Sequence, residues 1–175
     1  MSFPHGLRIR RARPDEGDRY AAFAVARFRE TYDTGYETER LERHIASAFS
    51  STLQRAELEA TDRDTLVLAS ERGWEAFVVL HREVAPPAVV ATNPIEIGRF
   101  YLHPDWHGRG VAAALMEHCA TVARAAGHDA LWLCVWEHNG RAQRFYEKAG
   151  FVHVGTHPFI FGGIPDDDRL YVRTL

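Results

Sequence analysis

The chain has 175 residues, of which 46% are hydrophobic and 26% are charged, and these proportions predict one globular domain over residues 1–175 with a sizeable apolar core. Its 21 basic and 24 acidic residues leave a net charge of −3, which gives no general attraction for nucleic acid or for an anionic membrane surface. We therefore expect a small-molecule partner whose anionic groups are held by local geometry.

The two cysteines and the first residues of the chain indicate a reducing compartment. Cys119 and Cys134 lie in apolar segments without C-x-x-C spacing, so we predict buried thiols rather than a disulfide. The stretch MSFPHGLRIRRARPDEGD has no apolar centre, and the apolar run VAAALM is too short to span a bilayer. The sequence therefore predicts a cytoplasmic protein.

The first part of the chain is predicted to contain one strand followed by helices. Residues 7–11 form a strand that ends before the Arg13-Pro14 step, because a residue that precedes proline disfavours the helical conformation. Pro14 opens a helix, and Thr38 is a plausible N-cap for a second one. Residues 50–64 fit either a further helix or a mobile loop. The inward-facing stripes of the two helices are Tyr20, Phe23, Ala24, Phe28 and Thr31, and Leu41, His44, Ile45, Ala48 and Phe49.

Alternating apolar residues indicate strands after this point. Residues 65–70 and 74–82, separated by the turn-like stretch ERG, are predicted to form an antiparallel pair. A proline-containing loop leads to a strand at residues 95–102, in which Gly98 predicts a bulge or a close backbone approach. Residues 130–136 are apolar at both alternating sets of positions, so they are predicted to form a central strand.

Two helices and two strands complete the prediction. One helix begins at Val111 and ends before Gly127, and the other covers residues 139–149. The acidic stretch at residues 165–168 is interpreted as a solvated turn before the last strand, although it could attract a polyamine. The last two strands cover residues 152–156 and 169–174.

The turn GRGVAA at residues 108–113 matches the dinucleotide-binding pattern G-x-G-x-x-A, with Asp129 at the distance expected for a ribose contact. Its context argues against that site, because Asp129 precedes a strand instead of ending one and because the glycines lie past mid-chain. A glycine turn between a strand and a helix still exposes backbone N–H groups in the positive field of the helix dipole. Such a turn either binds phosphate or serves only to reverse the chain tightly.

This turn is followed by the stretch NGRAQRFYEKAGF, in which Asn139 alone suits an ordinary N-cap and Tyr146 alone suits a core aromatic. Together, in this order and at this separation, the two segments resemble the GNAT superfamily of acyl-CoA-dependent N-acyltransferases. RFYLHPDWHGRGVAAALM is similar to the family's strand, pyrophosphate loop and helix, and NGRAQRFYEKAGF to its N-x-x-A-x-x-F-Y-x-x-x-G-F segment. The resemblance extends over residues 95–175, while the N-terminal half agrees only in the order of its elements. The loop departs from the family pattern at His107, where Gln or Arg is usual.

The resemblance implies a fold, an acyl donor and the residues that hold it. The fold is an α/β (α+β) one, in which helices flank a mixed, mostly antiparallel and centrally splayed sheet of about six or seven strands. Acetyl-CoA is the implied donor, with Tyr146 directed at the thioester sulfur and Asn139 bonded to the cofactor. The pantetheine arm would lie along the strand backbone of Phe100, Tyr101 and Leu102, and the pyrophosphate would be held by Gly108, Arg109, Gly110, Val111, Ala112 and Ala113.

Within the superfamily, the segments IEIGRFYL and LWLCVWEHN and the C-terminal tail look most like bacterial spermine/spermidine acetyltransferases. This likeness implies a polyamine or another small cationic primary amine as the acceptor. A protein N-terminus and an antibiotic amine stay as alternative acceptors, and a non-catalytic acyl-CoA-binding regulator is a further alternative, against which Tyr146 argues. The sequence leaves open whether the chain forms a homodimer.

The chemistry of amine acetylation sets requirements of its own. An alkyl amine with a pKa of about 10.4 is protonated at neutral pH, so a base must remove a proton before the nitrogen attacks the thioester. We predict Glu96 for this role, because it is a carboxylate in an otherwise apolar strand, although this position also suits a solvated strand end. Tyr146 is predicted to donate a proton to the leaving thiolate. Glu137 and Trp136 are candidates for holding a cationic acceptor.

No metal site is expected. The two H-x₃-H pairs, at residues 103–107 and 153–157, lie beside a proline and in a strand-like pattern, so neither is on a helix where this spacing chelates a metal. A thioester is already activated, so Cys119 and Cys134 need not act as nucleophiles and are interpreted as core residues.

Overall fold

The computed structural model describes residues 3, 6–33 and 35–175, which contain seven strands and five α-helices. The strands are β1 (Arg8–Arg11), β2 (Arg63–Ser70), β3 (Gly73–His81), β4 (Pro94–Leu102), β5 (Ala130–Val135), β6 (Val152–Phe161) and β7 (Ile164–Thr174). The helices are α1 (Gly17–Tyr32), α2 (Thr38–Ala48), α3 (Ser51–Glu59), α4 (Val111–Ala125) and α5 (Gly140–Lys148). None of the helices in these residues has the length and apolar character needed to cross a bilayer.

The strands form one sheet in the order β1-β2-β3-β4-β5-β7-β6. Neighbouring strands are antiparallel except for β4 and β5, which run parallel. The pairing of these two is confined to Pro94–Glu96 against Ala130–Trp132, so β4 and β5 separate beyond those residues. The predicted mixed, mostly antiparallel sheet is confirmed, and its splay leaves an open gap near the middle.

A bulge in β4 lies next to the splay. Arg99 pairs with Val79 and Ile97 pairs with Leu80, so Gly98 is the extra residue on β4, as its position in the sequence predicted. A bulge bends its strand and increases the local twist. It therefore helps to direct the second half of β4 away from β5.

Helices cover both faces of the sheet. On one face, Leu115 of α4 packs in the same apolar core as Leu131 of β5. On the other face, Phe28 of α1 and Leu41 of α2 pack with Phe77 of β3. Cover on both faces is what the double apolar pattern of β5 predicted for a central strand.

The helix ends follow the predicted signals with one shift. Gly127 and Gly150 both adopt a φ of +86° after α4 and α5, the left-handed conformation that glycine accommodates at the end of a helix. The N-cap of α2 is Glu37, in an extended conformation, and Thr38 is the first helical residue. The prediction of Thr38 as the N-cap is therefore displaced by one residue.

Residues 50–64, which the sequence left open between helix and loop, contain α3. The Ser50 hydroxyl accepts a hydrogen bond from the N–H of Leu53 at 3.2 Å and caps the helix. Gln54 is only 1% exposed, and its side chain donates to the carbonyl of Ala48 and accepts from Arg99 of β4. A helix anchored by a buried amide shows little apolar periodicity, which is why the sequence did not identify it.

The interpretation of residues 165–168 as a solvated turn is wrong. β6 and β7 extend beyond their predicted limits and meet at Gly162 and Gly163, so the acidic residues lie within β7. Asp168 pairs with His157 of β6 and is 7% exposed, whereas its neighbour Asp167 is exposed. The local composition favours a turn, but the cross-strand pairing holds the backbone extended and directs Asp168 inward.

Candidate active site

The gap between β4 and β5 opens into a cleft of about 440 Å³. Its walls come from the end of α1, the second half of β4, the turn before α4, the end of β5 and the first turns of α5. The splay thus brings together the two sequence motifs, which flank β5 in the chain. The predicted site residues that line the cleft are Phe100, Tyr101, Leu102, Gly108, Ala112, Asn139 and Tyr146.

The splayed half of β4 presents backbone groups to the cleft. The N–H of His103 donates to the carbonyl of Glu75 on β3 at 2.7 Å. Backbone N–H and C=O groups of alternate residues in a strand point to the same side, so this bond fixes which residues of β4 direct their backbone groups towards β3. The backbone of Tyr101 therefore faces β3, whereas those of Phe100 and Leu102 face the gap, where β5 no longer pairs with β4. Tyr101 contributes its side chain to the cleft wall. An extended chain with amide groups can bind along such an open strand edge.

The turn before α4 exposes backbone N–H groups at a helix N terminus. Gly108 and Gly110 adopt φ values of +72° and +76°, a conformation that glycine reaches without strain. Gly110 is the N-cap of α4, and no side chain in the described residues caps this helix. The N–H groups of Val111, Ala112 and Ala113 have no acceptor within their own helix. The end of the helix dipole is therefore available to an anion.

Two basic side chains that the motifs did not identify lie in the cleft. Nη1 of Arg141 on α5 donates to Nδ1 of His107 at 2.9 Å, and both residues line the cleft. Burial and the charge of Arg141 lower the pKa of His107, so its imidazole is neutral at pH 7 and accepts this hydrogen bond. Arg27 of α1 also lines the cleft and is held by Glu30 at 2.6 Å. At the position where the family has Gln or Arg, this chain places a neutral histidine that orients an arginine from another helix.

Asn139 and Tyr146 belong to α5. The side-chain oxygen of Asn139 accepts from the N–H of Ala142 at 3.1 Å, so Asn139 caps the helix as well as lining the cleft. Tyr146 is 8% exposed, and the rings of Phe145 and Phe151 pack around it at 5.3 and 5.7 Å. Burial raises the pKa of Tyr146 far above its usual value. The phenol therefore keeps its proton at neutral pH and can donate it.

Glu96 lies at the closed end of the splay and does not line the cleft. It pairs with Trp132 in the last paired position of β4 and β5. Its Oε2 is 3.3 Å from Nδ1 of His81 on β3, and its side chain is 17% exposed. Burial raises the pKa of Glu96, while His81 opposes this shift. Glu96 is therefore next to the cleft lining but not part of it, and its role as the base stays a prediction.

Aromatic and acidic side chains gather beside the α1 wall of the cleft. The ring centroids of Tyr32, Tyr36 and Trp136 lie 5.1–6.0 Å apart, and Tyr32 also lines the cleft. A side chain at Gly35 would collide with the Trp136 ring, so only glycine allows this close approach. Glu137 follows Trp136 and is half exposed. The cluster offers π faces and a carboxylate, both of which attract an organic cation.

The cysteines occupy different environments. Cys119 is buried in the core, as predicted, whereas Cys134 lines the cleft. Burial raises the pKa of both thiols to about 12. Both are therefore protonated at neutral pH, and a protonated thiol is a weak nucleophile.

The polar residues considered for metal or dinucleotide sites have other surroundings. Within residues 3, 6–33 and 35–175, no group of three or more His, Cys, Asp or Glu side chains could hold a metal ion. Asp129 accepts hydrogen bonds from the backbone N–H groups of Thr92 and Asn93 at 2.8 and 2.9 Å. It therefore holds a loop against the start of β5 instead of facing the turn at residues 108–113.

Sequence comparison identifies related proteins. A model of the acetyltransferase (GNAT) family matches residues 25–151. An uncharacterized N-acetyltransferase of Mycobacterium tuberculosis is 43% identical over 81 residues, which are 46% of this chain and 52% of the relative. The chain thus spans about half the length of this relative. The peptidyl-lysine N-acetyltransferase YjaB of Salmonella typhimurium is 28% identical over 149 residues, which are 85% of this chain and 86% of that protein.

Comparison of folds identifies a solved structure with the same architecture. The crystal structure of the PaiA N-acetyltransferase from Thermoplasma acidophilum in complex with coenzyme A aligns with a TM-score of 0.80 over 100% of both chains, at 20% sequence identity. At this identity the likeness concerns the fold alone.

Proposed function

Because the chain belongs to the GNAT acetyltransferase family, we propose that it transfers the acetyl group of acetyl-CoA to a primary amine of a small cationic molecule, with the polyamines as the leading class. The observation that carries this proposal is the composition of the cleft. One end has the open N terminus of α4, which suits a phosphate, and Tyr32 of the α1 wall packs against Tyr36 and Trp136 beside the cleft, a cluster of π faces that suits an ammonium group. The Tyr146 phenol lies in the wall of the same cleft.

The donor half of the site is formed by backbone groups and one cation. The gap-facing backbone of Phe100 and Leu102 suits the amides of the pantetheine arm, and the first N–H groups of α4 suit the pyrophosphate. Arg141, oriented by His107, adds a positive charge on the same side of the cleft. A net negative chain can therefore bind an anionic donor, because the positive potential is local.

We expect Gly110→Pro to weaken acetyl-CoA binding at least about 10-fold, as measured by isothermal titration calorimetry, because the change removes one N–H donor to a charged group. It also forces φ away from its present value of +76°. The matched control is Gly127→Pro, which imposes a similar conflict on a φ of +86° at the other end of α4, away from the cleft. A folded Gly110→Pro protein with unchanged affinity would show that the turn does not bind the donor.

The acceptor half of the site suits an alkylammonium ion. Tyr36 stacks on Trp136 at 5.1 Å, and Glu137, Asp166 and Asp168 bring carboxylates to the same region. Asp166 is already paired with Arg40 at 3.0 Å, which leaves the other two carboxylates to attract a cation. A polyamine offers one ammonium group to react and further ones to bind exposed acidic residues. The lysine side chain offers the same reacting group, and YjaB makes peptidyl-lysine the second candidate acceptor.

In the proposed reaction the amine nitrogen attacks the thioester carbonyl directly. Tyr146 donates its proton to the leaving sulfur, a form of general acid catalysis that typically contributes about 10²–10⁴-fold. No enzyme thiol takes part, since the raised pKa of Cys134 keeps it protonated. Tyr101 and Tyr32 shape the wall along which the acceptor approaches.

An amine panel tests the acceptor class. Release of the CoA thiol is measured with spermidine, spermine, an aminoglycoside, a peptide with a free N terminus and a peptide whose only amine is lysine. We expect the highest kcat/KM with spermidine or spermine. Preference for the lysine peptide would replace the polyamine by peptidyl-lysine. Binding of acetyl-CoA without thiol release from any amine would instead indicate a non-catalytic acyl-CoA-binding protein.

A further inference from the structure

Asp168 of β7 lies on the sheet face that borders the cleft. The register pairs Leu170 with Cys134 and Arg169 with Val135, so one further step places Asp168 beside Trp136. Residues that pair across antiparallel strands direct their side chains to the same face, and alternate residues share that face. Asp168 therefore lies on the same face as Cys134, which lines the cleft, and as Trp136 of the aromatic cluster.

One carboxylate oxygen of Asp168 is buried without a hydrogen-bond partner among the described residues. Its residue is 7% exposed, and within the described residues its Oδ1 is fully buried and receives no hydrogen bond. Buried carboxylates in proteins are normally paired or bonded, because removing their charge from water is costly. An unpartnered carboxylate beside a substrate cleft indicates a group whose partner arrives with the substrate.

The charges near Asp168 are negative. Burial is the main cause that raises its pKa to about 6, followed by the charges of Asp166, Glu137 and Asp167. Arg40 of α2 is bound to Asp166 and to backbone carbonyls of the β6–β7 hairpin. Across the part of the chain that the structure describes, no ion pair joins a basic side chain to Asp168.

The remaining elements packed around Asp168 present hydroxyl, thiol and imidazole groups. His157 faces it from β6, and Cys134 lies on the same face of β5. Burial raises the pKa of Tyr101 and of Cys134, each to about 12, and the charge of Asp168 adds to both shifts. Burial also raises the pKa of Tyr32 on α1, and the charge of Asp168 adds to this shift. Three cleft-lining side chains are thus within electrostatic reach of this carboxylate.

We propose that Asp168 is the catalytic base, which binds the acceptor ammonium and accepts its proton. The inference rests on the proposed function, because it needs an amine acceptor in the cleft. The ammonium gives one proton to the Asp168 carboxylate, and the neutral nitrogen forms its bond to the thioester carbonyl carbon. The C–S bond breaks, and the sulfur takes the Tyr146 proton. The second proton of the nitrogen restores the Tyr146 phenol, and Asp168 releases its proton to solvent, which leaves the amide, the thiol and one free proton.

Asp168 suits this role better than Glu96. The Oε2 of Glu96 already lies 3.3 Å from Nδ1 of His81, and Glu96 is located where β4 and β5 are still paired. Asp168 does not line the cleft either, but it has an unpartnered oxygen, lies on the same face as the cleft-lining Cys134, and is beyond the paired residues of β4 and β5. A base is most effective when its pKa is near the operating pH, and a carboxyl with a pKa of about 6 is ionised at pH 7 yet more basic than an ordinary aspartate.

The test compares Asp168→Asn with Asp167→Asn, which removes the same charge from the neighbouring, exposed residue, and with Glu96→Gln. The readout is kcat/KM for the best amine of the panel between pH 5 and pH 10, with the affinity for CoA measured separately. For the native protein we expect kcat/KM to fall below a pH of about 6. For Asp168→Asn we expect kcat/KM to be about 100-fold lower than that of the native protein at pH 7. As the pH rises and free amine forms, kcat/KM should increase by about 10-fold per pH unit, while the affinity for CoA stays unchanged. Asp167→Asn should keep nearly the native profile, because the charge of Asp167 makes the smallest contribution to the raised pKa of Asp168, and Glu96→Gln tests the alternative base.

Further measurements separate the outcomes. In Asp168→Ala, added formate should restore part of the activity at pH 7, which a merely structural role would not allow. A native pH profile in Asp168→Asn overturns the proposal while leaving the acetyltransferase function intact, and a loss confined to Glu96→Gln assigns the base to Glu96.

Calorimetric binding of spermidine in the presence of CoA gives a readout without turnover, and Asp168→Asn should weaken this binding. If the native protein neither acetylates nor binds any panel amine, both the proposed function and the role of Asp168 are wrong.

Discussion

Tyr146→Phe is expected to lower kcat by about 100-fold while changing the affinity for CoA less than about 2-fold. The phenol lines the cleft, and burial raises its pKa so that it holds a proton at neutral pH. Removing only the hydroxyl keeps the ring and its contacts with Phe145 and Phe151, so the binding of substrates and the fold should be retained. The loss should appear in kcat, because proton donation to the leaving sulfur takes place only during the reaction.

Tyr171→Phe is the matched control for this experiment. Tyr171 is 1% exposed and its ring lies 6.5 Å from that of Tyr146, but its hydroxyl donates to Glu147 at 3.2 Å and it does not line the cleft. We expect Tyr171→Phe to cost some stability and to keep its kcat. Native turnover of Tyr146→Phe at saturating amine, or an equal loss in both variants, would remove Tyr146 from the proposed chemistry.

The sequence predicted those parts of the fold that depend on local patterns. The double apolar pattern of β5, the bulge at Gly98 and the helix end at Gly127 are each determined by a few neighbouring residues, and each is confirmed. α3 was not identified because its buried anchor is the polar Gln54, whose partner Arg99 lies on β4. The contact that stabilises this helix is distant in sequence and leaves no local periodicity.

The site could be predicted only where it coincides with motifs. The glycine turn and Tyr146 were found because their spacing matches a family pattern, but Arg141 occupies a variable position of that pattern and gains its place through His107. Asp168 was assigned to a turn because four consecutive residues of Pro and Asp favour one locally. Its inward direction is set by pairing with His157, and a shift of one residue in that register would expose it instead. The burial of Asp168 and its raised pKa therefore depend on the tertiary fold and leave no signal in the local sequence.

Asp168→Asn is expected to increase the free energy of unfolding at pH 8, even though it should reduce activity. The pKa of the native carboxyl is about 6 against an ordinary 3.8, so the native state binds this proton more tightly than the unfolded state does. Well below pH 4 both states are protonated, and the group has no net effect on stability. Between pH 4 and pH 6 the unfolded state ionises first, so stability is lost as the pH rises, and above pH 6 the full cost of burying the charge is present.

The difference of about 2 pKa units corresponds to a penalty of up to about 3 kcal/mol above pH 6, which Asn does not carry. The measurement is urea unfolding of both proteins at pH 8 and at pH 4, without substrate. The stability gain of Asp168→Asn should be smaller at pH 4 than at pH 8 by most of this amount. Asp167→Asn changes an exposed residue, so its free energy of unfolding should stay within about 0.5 kcal/mol of that of the native protein at both pH values. Because the amide changes local packing and hydrogen bonding equally at both pH values, only the pH-dependent part reports the buried charge. A gain that does not depend on pH would mean that Asp168 is not held in a desolvated, unpaired state, and the stored electrostatic cost that makes it a strong base would be absent.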